Sequence, residues 1–388
     1  MNAAETTSGE FARFQRRALA LGVAGLLACL AGAIFDPAQF FRSYLVAYLF
    51  WIGIALGCVA IVMLHHIVGG RWGIVIRRLL ESGTRTLPLM VLLAVPVLLG
   101  LSHLYVWARP EVVAHDELLQ HKSSYLNVPF FMARMLVYFA VWLSIAYFLN
   151  KWSAEEDRSP SPSVKGRLQR LSGPGLVLYG FTVTFASVDW VMSLEPHWFS
   201  TIYGIIFMVG QALATLAFVI VALMLLARRT PLGSLLRPSH FHDLGNLTLA
   251  FVMLWAYVAF SQFLIIWAGN LPEETPWYVR RLNGGWGWVA VFLILFHFLL
   301  PFLLLLVREN KRRIEILASL AGLMIVVRWV DLFWVVAPSF YHEHLRVHWM
   351  DLAAPIGIGG VWIAVFTWQL RSRPLVPVEA SQLEGGPH

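Results

Sequence analysis

Apolar residues in this chain fall into long runs, separated by short stretches of charged, polar and turn-forming residues. Ten runs can be traced, at roughly 18–35, 43–64, 86–107, 129–149, 175–194, 201–227, 246–268, 287–307, 314–336 and 354–370. Most are close to the ~20 residues that a helix needs to cross a ~30 Å hydrocarbon layer. The ten-residue segments of alternating polarity that mark a membrane β-barrel are missing. The pattern predicts an all-α integral membrane protein with ten spans in a single membrane domain over 18–370. An N-terminal segment, 1–17, precedes it. A polar, proline-containing tail, 371–388, follows it and reads as disordered.

Lysine and arginine set the orientation. Of the 29 in the chain, 21 lie in the N-terminal segment, the even-numbered connections and the tail, and 6 lie in the odd-numbered connections. Arg134 and Arg328 lie inside spans. This asymmetry places both termini in the cytoplasm. Composition agrees, because 13% charged residues is far below the about 25% of a soluble domain. A net charge of +7 would suggest nucleic acid in a soluble protein. Here the arginines sit between apolar runs and carry topology instead, so no nucleic-acid partner is expected. Residues 151–170 are rich in Ser, Pro and charge and read as a flexible inner connector.

The cysteines, Cys29 and Cys58, each lie in an apolar run. No Cys-x-x-Cys occurs, which excludes covalent c-type haem, and two thiols are too few for an iron–sulfur cluster. Both read as packing residues. Arg13, Arg16 and Arg17 before Leu26-Leu27-Ala28-Cys29 also resemble a lipoprotein signal, but the apolar run continues to Phe35, which favours a retained helix. No span carries two well-spaced histidines, so haem b is not expected.

Charge inside the membrane marks candidate chemistry, since a mid-bilayer charge costs about 2.5–3.5 kcal/mol on insertion scales. Arg328 and Asp331 share one face of the ninth span at i, i+3 spacing. They read as a helix-locking ion pair or as part of a proton or substrate path. Arg134 lies in the fourth span, Asp189 in the fifth, His103 near the outer end of the third and Gln262 in the outer half of the seventh. The topology gathers Arg134, Asp189, Arg328, Asp331 and His103 in the outer half of the membrane. Meeting in space, they would form a polar pocket for a quinone head group or for protons; ion pairing between helices is the alternative. His297, in the middle of the eighth span, reads as a hydrogen-bonded packing residue or a proton relay. His65 and His66 mark the inner end of the second span. The fifth connection adds Glu195 and His197 beside Pro196 and Trp198. In the ninth connection His344 and His348 have a spacing that could chelate zinc on a helix. With His342 they read as solvated loop histidines, and no metal site is expected.

Two long stretches, SVDWVMSLEPHWFSTIYG (Ser187–Gly204) and HDLGNLTLAFVMLWAYVAFSQFLIIWAGNLPEETPWYVRR (His242–Arg281), resemble the ActF family. These are the second large membrane subunits of bacterial alternative complex III, a quinol:cytochrome c oxidoreductase. The spacing of the blocks and the ten-span layout extend the likeness over most of the chain. The resemblance implies an NrfD/PsrC-like fold, with two four-helix bundles (helices 2–5 and 6–9) flanked by helices 1 and 10. It implies a multi-pass protein of the bacterial inner membrane. Its partners would be a paralogous membrane subunit, a periplasmic iron–sulfur subunit and c-type haem subunits. The role implied is that of a subunit without a redox cofactor, supporting assembly, with quinone or quinol as a ligand and a proton path. In the family the paralogue has the better claim to the working quinol site. No catalytic signature carries over, and the candidate residues rest on the membrane-charge argument. The alternative function is a secondary transporter. It is disfavoured because no Gly/Pro interruption recurs at matching mid-span positions of the two halves.

Overall fold

The structure, a computed structural model, describes residues 3–375 apart from 229, 231, 232, 234 and 235. Ten of the described helices are long and apolar enough to cross a membrane, and no strand occurs among the described residues. They are α1 (Ala3–Phe35), α2 (Pro37–Val68), α3 (Arg71–Leu99), α4 (Val128–Arg158), α5 (Pro162–Trp190), α6 (Tyr203–Ala227), α7 (Pro238–Gly269), α8 (Trp286–Leu306), α9 (Ile314–Val336) and α10 (Trp349–Arg371). The protein is an all-α, polytopic membrane protein.

Short polar residues followed by proline begin several helices. Asp36 accepts the Gln39 N–H at 2.9 Å and Pro37 opens α2. Asn127 caps α4 and Ser161 caps α5 in the same way, with Pro129 and Pro162 in the first turn. A side-chain oxygen satisfies an otherwise orphaned N–H, and proline there sacrifices no hydrogen bond.

Three boundaries differ from the sequence expectation. The segment 151–170 is not a flexible connector: α4 continues to Arg158, α5 starts at Pro162, and only residues 159–161 join them. The inner connection 65–85 contains a buried helical segment, Arg71–Thr84, because its charged residues are paired with one another and with α4. The outer part of α3 is broken into Leu87–Leu93, Val95–Leu99 and a further turn, Leu101–Leu104. Pro88 and Pro96 each open a new segment, since proline cannot donate to the preceding turn. In addition, α1 begins well before residue 18. Of the expected tail, residues 376–388 lie outside the described residues.

The fold is organised around α2, whose most apolar window is 94% buried. It packs against α3, α5, α6, α9, α10 and α1. Helices α2–α5 form one group and α6–α9 a second, and α6 joins them by packing on both α2 and α5. Helix α10 lies on α2, and α1 runs along α10. A Cβ at Gly22 would collide with the backbone of Gly360 and Val361. Backbone approach of this kind lets membrane helices associate through van der Waals contact where no hydrophobic force acts between them. Outward faces carry Leu136, Tyr257, Trp267 and Trp288, as hydrocarbon contact requires.

Candidate functional site

Towards the end of the bundle opposite the termini, the fold buries three separate charged clusters. The first joins α4 to α5. Arg134 grips Asp189 with two hydrogen bonds, Nε to Oδ2 and Nη2 to Oδ1, both 2.9 Å. The Tyr138 hydroxyl donates to Asp189 Oδ2 at 2.7 Å. The guanidinium also donates to the Tyr125 carbonyl and lies over the Tyr125 ring, 3.8 Å from its centre. Asp189 is fully buried. A bidentate guanidinium–carboxylate pair with a further phenol donor is the arrangement that best offsets desolvation of both charges.

The second cluster ties loops to helix ends. Glu195 follows α5. It accepts from Arg281 Nη2 at 2.9 Å, Arg280 Nη1 at 2.5 Å and the Ser339 hydroxyl at 2.8 Å. Arg281 belongs to a short helix, Thr275–Leu282. It also donates to the Val335 carbonyl at 2.6 Å and stacks on the Trp277 ring at 3.7 Å. Burial pushes the Glu195 carboxyl up, but Arg281, Ser339 and Arg280 outweigh it and hold it below the ordinary range. Trp277 stacks on Trp198, with ring centres 4.9 Å apart, and Trp198 meets Tyr203 edge-on. Nearby, Gln262 accepts from Ser200 at 2.9 Å and donates to the Tyr278 hydroxyl at 3.3 Å.

The third cluster lies inside the second bundle. Arg328 bonds Asp331 one turn along α9. Gly210 of α6 makes room for it, because a Cβ there would overlap the Arg328 guanidinium. His297 of α8 is fully buried, and its Nδ1 stands 4.0 Å from Asp331 Oδ2. That is too long for a hydrogen bond, and neither ring nitrogen has a hydrogen-bond partner among the described residues. Its ring packs on Trp255 at 4.1 Å. His297 sits in a π turn, Ile294–Leu299. Pro301 explains the wider turn: it has no N–H to offer the His297 carbonyl four residues back.

The Arg328–Asp331 pair expected from its spacing forms, and Arg134 pairs with Asp189, but the two pairs do not share the one pocket the topology suggested. No described contact joins them. His103 joins neither, because it stacks on Phe41 at 5.1 Å instead. His197 is largely exposed and meets Asp116 at 2.9 Å. His348 caps α10 through Met350 N–H, and no group of three or more potential metal ligands occurs among the described residues.

A fourth cluster, at the end of the bundle carrying the termini, was not expected. Glu81 of α3 pairs with Arg77 at 2.9 Å and Arg78 at 2.7 Å, Arg77 with Glu156 at 2.5 Å, and Arg78 with Asp157. Ser153 donates to Glu81 at 2.5 Å. Counting these arginines as topology signals hid them. Their i, i+3 and i, i+4 spacing to Glu81 was the available clue. Similarly, Arg280 and Arg281 stand together in a connection on the arginine-poor side, which marks them as structural partners rather than topology signals.

Two cavities adjoin α10, of about 320 Å³ and about 590 Å³. Both are lined mainly by apolar side chains, including Phe14, Trp51, Ile325 and Ile363, and by none of the nine candidate residues. They do not offer a quinone head group the donors and acceptors it needs. Compared with known proteins, the chain matches no family model and no curated protein.

Proposed function

We propose that this protein is an integral membrane subunit, without redox cofactor, of a quinol:cytochrome c oxidoreductase of the alternative complex III type, and that its share of the work is to move protons. The observation carrying this reading is the His297–Asp331–Arg328 arrangement. A histidine held wholly in the interior, with no hydrogen-bond partner among the described residues, stands about 1 Å beyond bonding distance of a carboxylate. Packing alone does not require an imidazole there, and the π turn that carries it faces Asp331. Oxidation of a quinol releases protons as well as electrons, and an imidazole facing a carboxylate is a pair through which a proton can pass. Arg328, bonded to Asp331, fixes that carboxylate on the side of His297.

The resemblance supports the setting. Its two stretches, Ser187–Gly204 and His242–Arg281, supply Asp189, Glu195, Gln262, Arg280 and Arg281, and the structure unites Glu195 with both arginines. The two cavities beside α10 are lined by none of the candidate charges, so we assign quinol oxidation to the paralogous membrane partner that the resemblance implies, and no step here is routed through quinone.

Tagged protein should be recovered from its native membrane in mild detergent and studied by mass spectrometry and a reduced-minus-oxidised spectrum. Co-purification of multihaem c-type and iron–sulfur subunits is expected. His297→Leu should leave that assembly intact while lowering quinol:cytochrome c turnover. A colourless chain recovered alone under several mild detergents would overturn the assignment. Full turnover with His297→Leu would remove the proton role.

A further inference from the structure

The cluster at the end carrying the termini is unbalanced. Glu81, Glu156 and Asp157 are matched by Arg77 and Arg78, and two further arginines lie beside them. Arg373, just after α10, reaches Glu81 only at 3.6 Å and donates to the Asn150 carbonyl at 2.9 Å. Arg85 forms no salt bridge among the described residues, although the Glu81 charge acts on it. It donates to the Ser372 hydroxyl at 2.8 Å, the Gln369 carbonyl at 3.0 Å and the Ser82 hydroxyl at 3.5 Å. The two guanidinium groups are close enough to repel each other. Arg85 Nε and Arg373 Nη1 are both inaccessible and lack a hydrogen-bond acceptor among the described residues. The Arg373 side chain remains 19% exposed, so the pair is reachable from outside.

Among the described residues four guanidiniums stand against three carboxylates, which leaves one positive charge in excess at a partly buried site, and such a charge is costly. Each of the two guanidiniums keeps one nitrogen without an acceptor among the described residues, and adjacent guanidiniums suit a tetrahedral oxyanion, since their geometry matches phosphate. The arginine-rich end of the bundle is the level at which lipid phosphates lie, and basic pockets between helices there hold lipid head groups. We infer that Arg85 and Arg373 form a phosphate-binding site that holds the head group of an anionic phospholipid between α3 and the end of α10.

The test uses the full chain, purified and stripped of lipid, with thermal unfolding followed by tryptophan fluorescence. The probes are short-chain phosphatidylglycerol, the matching diacylglycerol and inorganic phosphate. Phosphatidylglycerol should raise the melting temperature and diacylglycerol should not. In the Arg85→Gln/Arg373→Gln double variant, half-saturation should need about tenfold more phosphatidylglycerol, the loss of a charge-assisted contact. Arg85→Lys, which keeps the charge but loses the fork, serves if the double variant does not fold, and it should show a smaller shift in the same direction. If inorganic phosphate stabilises as well as the lipid does, and is weakened by the same substitutions, the site takes a free anion rather than a lipid. No stabilisation by either phosphate probe, or equal responses in wild type and both variants, overturns the proposal.

Discussion

Every buried carboxylate named above is held by donors from another turn or another helix, and the consequences of removing one charge differ from those of removing two. In Asp189→Asn the Arg134 guanidinium keeps its position but loses its counter-charge in the interior. A broken buried pair typically costs about 3–5 kcal/mol, whereas a pair removed whole costs less. Thermal unfolding in detergent should therefore show Asp189→Asn less stable than Arg134→Gln/Asp189→Asn. The reverse order would show that the pair is not desolvated as described. Gly210 offers a second residue-scale test. Its missing Cβ makes the space for Arg328, so Gly210→Ala must push the guanidinium off Asp331. Overpacking of this size costs about 1–3 kcal/mol. Gly210→Ala should lower the melting temperature, and pairing it with Arg328→Gln should recover part of the loss. The i, i+3 spacing of Arg328 and Asp331 made that pair readable from sequence alone. Arg134–Asp189 needed the third dimension, as did the fact that the two pairs stay apart: membrane depth follows from counting along a helix, but the lateral position of a helix does not.

At the scale of elements, sequence and structure part where charge is buried. The segment Arg71–Thr84 carries arginines at the arginine-rich end, and a rule that counts arginines treats it as a connection. Mutual pairing through Glu81 allows it to be a buried helix instead. The outer loops behave alike. Glu195 is on a loop, yet it is only 8% exposed and fastens the end of α5 to the Thr275–Leu282 helix and to Ser339. Its carboxyl is held below the ordinary value of 4.5 in the folded state. A lowered folded-state value means stability that is fully present above pH 4.5 and is lost as pH falls through the lowered value. Wild type should thus exceed Glu195→Gln in melting temperature at neutral pH, and the gap should close in acid. A gap that is constant over this range would mean that Glu195 is not the group responsible. The π turn in α8 was invisible to periodicity. Its cause, Pro301 four residues after His297, is visible once that carbonyl is followed to its missing donor.

At the scale of the molecule, ten spans were plain from the apolar runs, because hydrocarbon thickness fixes helix length. The two bundles were implied by resemblance, and the packing of α2–α5 and of α6–α9 is consistent with them. The centre of the fold was not predictable: α2 is no more apolar than α6 by eye, yet it alone is 94% buried in its apolar window, against 67% for α6. Burial depends on how many neighbours surround a helix, and hydropathy says nothing of that number.

The clasp between α1 and α10 has a consequence for synthesis. A ribosome delivers α1 well before its principal partner, α10. Until α10 arrives, α1 lies beside α2 with most of its surface in lipid, and α2 waits with one flank open. The central helix is thus made well before it can be enclosed. A chain that ends after Val347, before α10 begins, should insert its earlier spans but leave that flank uncovered. Pulse-chase labelling should show it degraded quickly while the full-length chain persists. A truncated chain as long-lived as the complete one would mean that the terminal helices brace the finished fold without completing it.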